Sequence, residues 1–161
     1  MREQLCFPGF ERRPFNDRLF FGLLSPANPA TAIIRAADDL RHRYGLNGRL
    51  IERERLHVSL HGIDLNDGQP NLIVERAREA GEMVSTSPFP LIFDRVMSFH
   101  IRSAKRPVVL CPGYDLVRLF ALHAVLGEAM QRVRIGRHRT SHFTPHMTLL
   151  YGIMAQTPQE F

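Results

Sequence analysis

Two short stretches of this chain share one grammar: His57-Val58-Ser59-Leu60 and His146-Met147-Thr148-Leu149. Each reads histidine, apolar, hydroxyl, apolar. In a strand, alternate side chains share a face. Each stretch therefore sets an imidazole and a hydroxyl on one side and two apolar groups on the other. The apolar side can enter a core, and the polar side must serve something else, twice over. The bare pattern His-x-Ser/Thr is weak, because eight histidines and thirteen Ser/Thr residues give about 0.6 chance matches. Four occur, starting at His57, His138, His142 and His146. Only the first and last carry apolar residues at the second and fourth places. His138-Arg139-Thr140-Ser141 is polar throughout, and His142-Phe143-Thr144-Pro145 runs into a proline, which removes a ladder donor.

The chain around these stretches reads as one α+β domain over residues 1–161, long enough to bury a core. Arg18 to Leu24 is a dense apolar strand. Asn28-Pro29 opens a helix with Asn as N-cap, and Gly45 closes it. The first motif strand follows and ends at Gly62. A second helix runs from Asn71 to Ser85, with Leu72, Ala77, Ala80, Met83 and Val84 on its inner side. Leu91 to Phe99 and Pro107 to Cys111 form two strands with His100 to Arg106 as the turn between them. Asp115 caps a third helix, Leu116 to about Val133. A basic loop, Arg134 to Thr144, leads to the second motif strand, which ends at Gly152. The series strand, helix, motif strand occurs twice. Two similar halves can meet about a pseudo-twofold axis, the cheapest way to unite histidines 89 positions apart.

Composition narrows the partners. One lysine, Lys105, stands against twenty arginines, and the net charge is +5. The arginine fork suits phosphate, although a GC-rich genome favours arginine for no functional reason. Arg132, Arg134, Arg137 and Arg139 feed directly into the second motif strand. They are the best candidates for phosphate-backbone contact, with a solvated charged loop as the alternative. No apolar run approaches the ~20 residues of a membrane span, and the first residues lack a secretory signal, so a cytoplasmic protein is expected. Cys6 and Cys111 read as free thiols. His138, His142 and His146 have a helical metal-ligand spacing, but Pro145 opposes a helix there, so no metal site and no cofactor is expected. His61 shares the face of His57 if the strand continues and would then line the cleft. His123 reads as structural and His100 as solvated. Phe20, Phe99 and Phe143 either stack a base or belong to the core.

Two facing imidazoles can act as base and acid in one turnover. A hydroxyl two residues on lies roughly 6.5–7 Å along the same face. From there Ser59 and Thr148 can bind the non-bridging oxygens of a phosphate held between the histidines. The chemistry that fits is hydrolysis or transfer at a phosphodiester, above all a strained cyclic one.

The paired motifs, within RERLHVSLHGI and HFTPHMTLLYG, resemble the 2H phosphoesterase superfamily. Within it they are most similar to the 2′-5′ RNA ligase-like family, also described as RNA 2′,3′-cyclic phosphodiesterases. The resemblance implies a bilobal α+β fold, two pseudo-symmetric lobes of antiparallel sheet with flanking helices around a central cleft. It implies metal-independent opening of a 2′,3′-cyclic phosphate to a 2′-phosphate, with 2′-5′ ligation in some members. RNA ends or cyclic nucleotides would be the substrates. His57 and His146 would be the catalytic pair, and Ser59 and Thr148 the phosphate binders. His146 is assigned as base and His57 as acid, with the reverse left open. Some relatives carry an arginine where this chain has Tyr151, a second cleft candidate. Relatives also commonly continue for further strands, so a short member, a truncated one, or an edge covered by a partner are all expected possibilities, with monomer or homodimer open. The alternatives are the same chemistry on a small cyclic nucleotide or sugar phosphate, or a non-catalytic RNA-binding module.

Overall fold

Apolar alternation along the strands decides which side of the sheet the helices cover. The computed structural model describes residues 18–65, 69–99 and 106–153. Within them lie β1 (Arg18–Leu24), α1 (Ala27–Arg43), β2 (Asn47–Leu50), β3 (His57–Asp64), α2 (Pro70–Glu82), β4 (Phe93–Ser98), β5 (Arg106–Pro112), α3 (Val117–Arg132) and β6 (Met147–Ile153). Short 3₁₀ turns, Arg53–Arg55 and Gly136–His138, precede the two motif strands. The strands form one six-stranded sheet in the order β1-β3-β6-β5-β4, with β2 also paired to β6. All pairings are antiparallel.

The two motif strands meet at one pair, Val58 with Met147. These are the equivalent second residues of the two motifs, so the pair sits where a pseudo-twofold axis would pass. The two halves share a second feature. On β1, Gly22 pairs with Ser59 and Phe21 with His61, which leaves Leu60 as an extra residue. On β5, Val109 pairs with Thr148 and Val108 with Leu150, which leaves Leu149 extra. Each motif strand thus carries a β-bulge directly after its hydroxyl residue. A bulge reverses the alternation beyond it.

The helices pack on the face that Val58 and Met147 present. Ala30 of α1 joins these two and Leu56 in the centre. Further along, α1 packs Ala37 against Val108, Leu149 and Leu150 of β5 and β6. Ala129 and Met130 of α3 pack with Ile63 of β3 and with Ile73, Ala77 and Ala80 of α2. The helix of each half therefore covers strands of the other half. Each large apolar side chain so buried contributes about 1.5–3 kcal/mol. Small residues on the helices allow the close approach.

Several local expectations shift. The first helix starts at Ala27 behind Pro26, with no side-chain cap, rather than at an Asn28 cap. Gly45 does adopt the left-handed conformation that ends it, at φ 58°. Asp115 makes no cap on α3 and itself has φ 48°. Leu72 and Met83 of the second helix are exposed, and Ile73 takes the inner position instead. Gly62 and Gly152 do not end the motif strands. Gly152 pairs with Gly48 across β2 and β6, and a Cβ on Gly48 would come within 2.6 Å of the Tyr151 carbonyl. Glycine there is a condition of close strand approach. The expected turn from His100 falls largely outside the described residues, as does Cys6. Cys111 is a buried free thiol.

Candidate active site

The site is built at the point where β3 and β6 touch. With Val58 opposite Met147, the antiparallel register sets His57 across from Thr148 and Ser59 across from His146. Two histidines and two hydroxyls thus occupy alternate corners of one patch, on the face away from the helices. His57, His146 and Thr148 are half-buried and Ser59 is exposed.

Backbone geometry orients both imidazoles in the same way. Leu56 and Pro145, each immediately before its histidine, are buried. They lock the strand entrances, and the carbonyl one residue earlier turns toward the ring. His57 Nδ1 lies 2.6 Å from the Arg55 carbonyl. His146 Nδ1 lies 2.8 Å from the Thr144 carbonyl. A carbonyl only accepts, so Nδ1–H donates in both cases. This leaves each Nε2 as the bare nitrogen of the neutral ring. Among the described residues neither Nε2, nor the hydroxyl of Ser59 or Thr148, has a hydrogen-bond partner. Each histidine also meets one phenylalanine. The Phe20 ring lies 4.6 Å from that of His57, and Phe99 meets His146 edge-on at 4.9 Å. The two anchoring carbonyls escape sequence reading, because any residue supplies one.

The remaining candidates separate. Without the bulge, Tyr151 would point away from Thr148. With Leu149 inserted it returns to the motif face, where it is exposed opposite Arg49 of β2. The bulge acts in the opposite sense on His61, which does not line the cleft. Leu60 is the extra residue, so His61 turns under the sheet and is 1% exposed. Its Nε2–H donates to the His123 carbonyl at 2.9 Å, and its Nδ1 accepts from the Thr140 N–H at 3.0 Å. The neutral ring is fully satisfied and ties β3 and α3 to the loop before β6. Burial pushes its pKa down, the carbonyl bond opposing and Arg139 adding. His123 lies tilted against His61 at 4.0 Å and stacks on Phe143 at 4.2 Å. Its pKa is also lowered, by burial first and then by the adjoining His61, because two protonated rings in contact would repel. Phe143 is thereby a core residue.

The basic loop is not gathered around the histidines. Arg139 packs over α3, where a Cβ on Gly127 would meet its Nε at 2.9 Å. Arg132 and Arg134 are exposed at and just beyond the end of α3. Arg137 Nε lies 3.2 Å from His138 Nε2, and His138 Nδ1 lies 3.4 Å from the Asp64 backbone nitrogen. Asp64 lies seven residues along β3 from His57, roughly 23 Å away. Arg49 and Arg55 line a cavity together with Tyr151 instead. Among the described residues no three His, Cys, Asp or Glu side chains are gathered as metal ligands would be. Among the same residues no helix is long and apolar enough to cross a membrane.

Residues 29–160 match the model of the 2′-5′ RNA ligase superfamily. No curated protein sequence matches the chain. Among solved structures, TT0787 of Thermus thermophilus is similar with a TM-score of 0.63 and 16% identity, over 89% of this chain and 78% of that one. A phosphoesterase gives 0.61 and 24% identity over 89% and 78%. Escherichia coli LigT, complexed with 3′-AMP, gives 0.55 and 21% over 89% and 76%. These likenesses show the α+β fold with its antiparallel sheet. Taken with the match over most of its length, the chain belongs to the 2′-5′ RNA ligase superfamily.

Proposed function

We propose that the chain is a metal-independent cyclic phosphodiesterase that opens RNA 2′,3′-cyclic phosphate ends to 2′-phosphates, with His57 and His146 as its acid–base pair. The observation that carries this reading is the matched anchoring of Nδ1 by carbonyls two residues upstream in both motifs. It leaves two Nε2 atoms of identical attitude on one patch, able to hold opposite protonation states. Neutral His146 takes a proton from water as the water oxygen bonds to phosphorus. The bond from phosphorus to O3′ breaks, and protonated His57 gives its proton to that oxygen. The Ser59 and Thr148 hydroxyls bond the non-bridging oxygens, whose charge grows in the transition state. Base and acid chemistry of this kind contributes on the order of 10²–10⁴ each. Attack by a 5′-hydroxyl in place of water would give 2′-5′ ligation, and the reverse reaction would exchange the two histidine roles. Family membership and the 3′-AMP held by LigT both support a nucleotide substrate.

The test is turnover of a short RNA ending in 2′,3′-cyclic phosphate, in EDTA. The expected product carries a 2′-phosphate. Loss of turnover on chelation, or a 3′-phosphate product, would contradict the reading.

A further inference from the structure

β2 and β3 both pair with the same side of β6 and form, in effect, one interrupted strand. Leu50 pairs with Leu150, the Ile51 N–H bonds the Leu149 carbonyl at 2.7 Å, and Val58 pairs with Met147. The chain leaves this line between Ile51 and His57 and returns through the 3₁₀ turn. Along this excursion lies a cavity of about 500 Å³, bounded by β2 from Asn47 to Ile51 and by Glu52, Arg55 and Tyr151, of which Tyr151 shares the face of Thr148. A volume of this order suits a small ligand group.

The charges in this cavity are unequal. The Arg49 guanidinium is held by Glu52 at 3.0 Å. The Arg55 guanidinium has no partner among the described residues, while its own carbonyl anchors His57. One guanidinium on the cavity wall is therefore uncommitted, on a residue two places before the proposed acid. Tyr151 is the next residue after Thr148 to return to the motif face. It lies three residues on, about 7–10 Å along the strand once the bulge is allowed for, a separation comparable with one nucleotide unit.

We propose that this cavity receives a second phosphoryl group, the one on the 5′ side of the terminal ribose. Arg55 would bind it, with Arg49 behind and Tyr151 as the wall. The inference rests on the reading that the cyclic phosphate lies between His57 and His146. A guanidinium fork matches phosphate oxygens in pairs, and such contacts position a nucleic acid without reading its sequence. The second phosphate has two sources, the internucleotide linkage of an RNA or the 5′-phosphate of a mononucleotide, and both present the same oxygens.

The experiment is calorimetric titration of the full chain, at low salt because phosphate contacts weaken with salt. The ligands are a nucleoside 2′-monophosphate, the matching 2′,5′-bisphosphate, and a dinucleotide ending in 2′-phosphate. The 5′-side phosphate is expected to improve Kd by about tenfold or more. Arg55→Ala is expected to cut that preference to about twofold or less, and Arg55→Lys to keep part of it, having charge without the fork. Arg53→Ala, outside the cavity, should keep it whole. A gain from both the bisphosphate and the dinucleotide makes the shared phosphate the recognised group, whereas a gain from the bisphosphate alone assigns the site to mononucleotides. No preference in the wild type, preference untouched by Arg55→Ala, or binding of none of the ligands would overturn the proposal. Turnover of the cyclic substrate, measured in parallel, separates the two claims. Turnover without preference sinks the phosphate subsite alone, and preference without turnover sinks the proposed activity alone.

Discussion

The two motif strands are the same object as far as the bulge and different objects afterwards. His57 to Leu60 and His146 to Leu149 match in side-chain class, in carbonyl anchoring and in the bulge after the hydroxyl. Past the bulge, the inward position is His61 on β3 and Leu150 on β6. The outward position is Gly62 on β3 and Tyr151 on β6. His61 meets backbone polar groups of α3 and the loop, and Leu150 meets Ala37 of α1. In the proposed mechanism the matched part is set by the phosphate that the pair would hold between them. The unmatched part is set by what each strand packs against.

Removing either imidazole should have the largest effect. His57→Ala and His146→Ala are each expected to lower kcat/KM by about 10²–10⁴. The double variant should lose far less than the product of the two losses, because the pair acts as a unit. A large loss from one and none from the other, in steady-state assays, would break the equivalence. The inward positions come next and should differ in kind. Leu150→Ala is expected to cost about 2–5 kcal/mol as a core cavity, read by urea unfolding. His61→Leu keeps bulk but strands the Thr140 N–H and the His123 carbonyl, at about 1–3 kcal/mol each. Stability unchanged in His61→Leu would remove its assignment as a tie between elements.

The hydroxyls should have a smaller and equal effect. Ser59→Ala and Thr148→Ala are expected to lower kcat by about 10²-fold each, with Thr148→Ser close to the wild type. Unequal losses would show that one oxygen of the phosphate is held by something else. The smallest effect is on the pH dependence of stability. The pKa values of His61 and His123 are lowered in the fold, so the unfolded chain binds protons first as pH falls. Their contribution is whole above about 6.5, the ordinary histidine value, and is lost as pH drops below it. Protonating His61 Nδ1 also removes the acceptor of the Thr140 N–H. Unfolding at pH 7 and pH 5 should show a flatter dependence in His61→Gln than in the wild type.

What the sequence made legible follows from the range of each effect. Alternation over four residues is local, so both motifs, their strands and the repeated order of elements were readable from the chain. The bulges were not, because an extra residue is defined only against a partner strand. That one unseen feature turns His61 inward, away from the cleft it was expected to line, and is what brings Tyr151 onto the motif face. The caps at Asn28 and Asp115 also failed. The first helix already begins at Ala27, which puts Asn28 inside it, and Asp115 sits at φ 48°, outside the N-cap position that Leu116 takes. Nearness in sequence to His146 points to the arginines of the basic loop. In space the 3₁₀ turn carries Arg137 to the far end of β3, and the arginines that share a cavity with Tyr151 come from before His57 instead.

The most direct test of the central claim is the pH dependence of kcat/KM for a cyclic-phosphate RNA end, in the wild type and the two histidine variants. A base and an acid in one turnover give a bell-shaped profile. With His146 as base, His146→Ala should lose the acidic limb and His57→Ala the alkaline limb of whatever activity is left. The opposite assignment of limbs would exchange the roles and keep the pair. A bell unchanged in both variants would contradict the claim that these two imidazoles carry the protons.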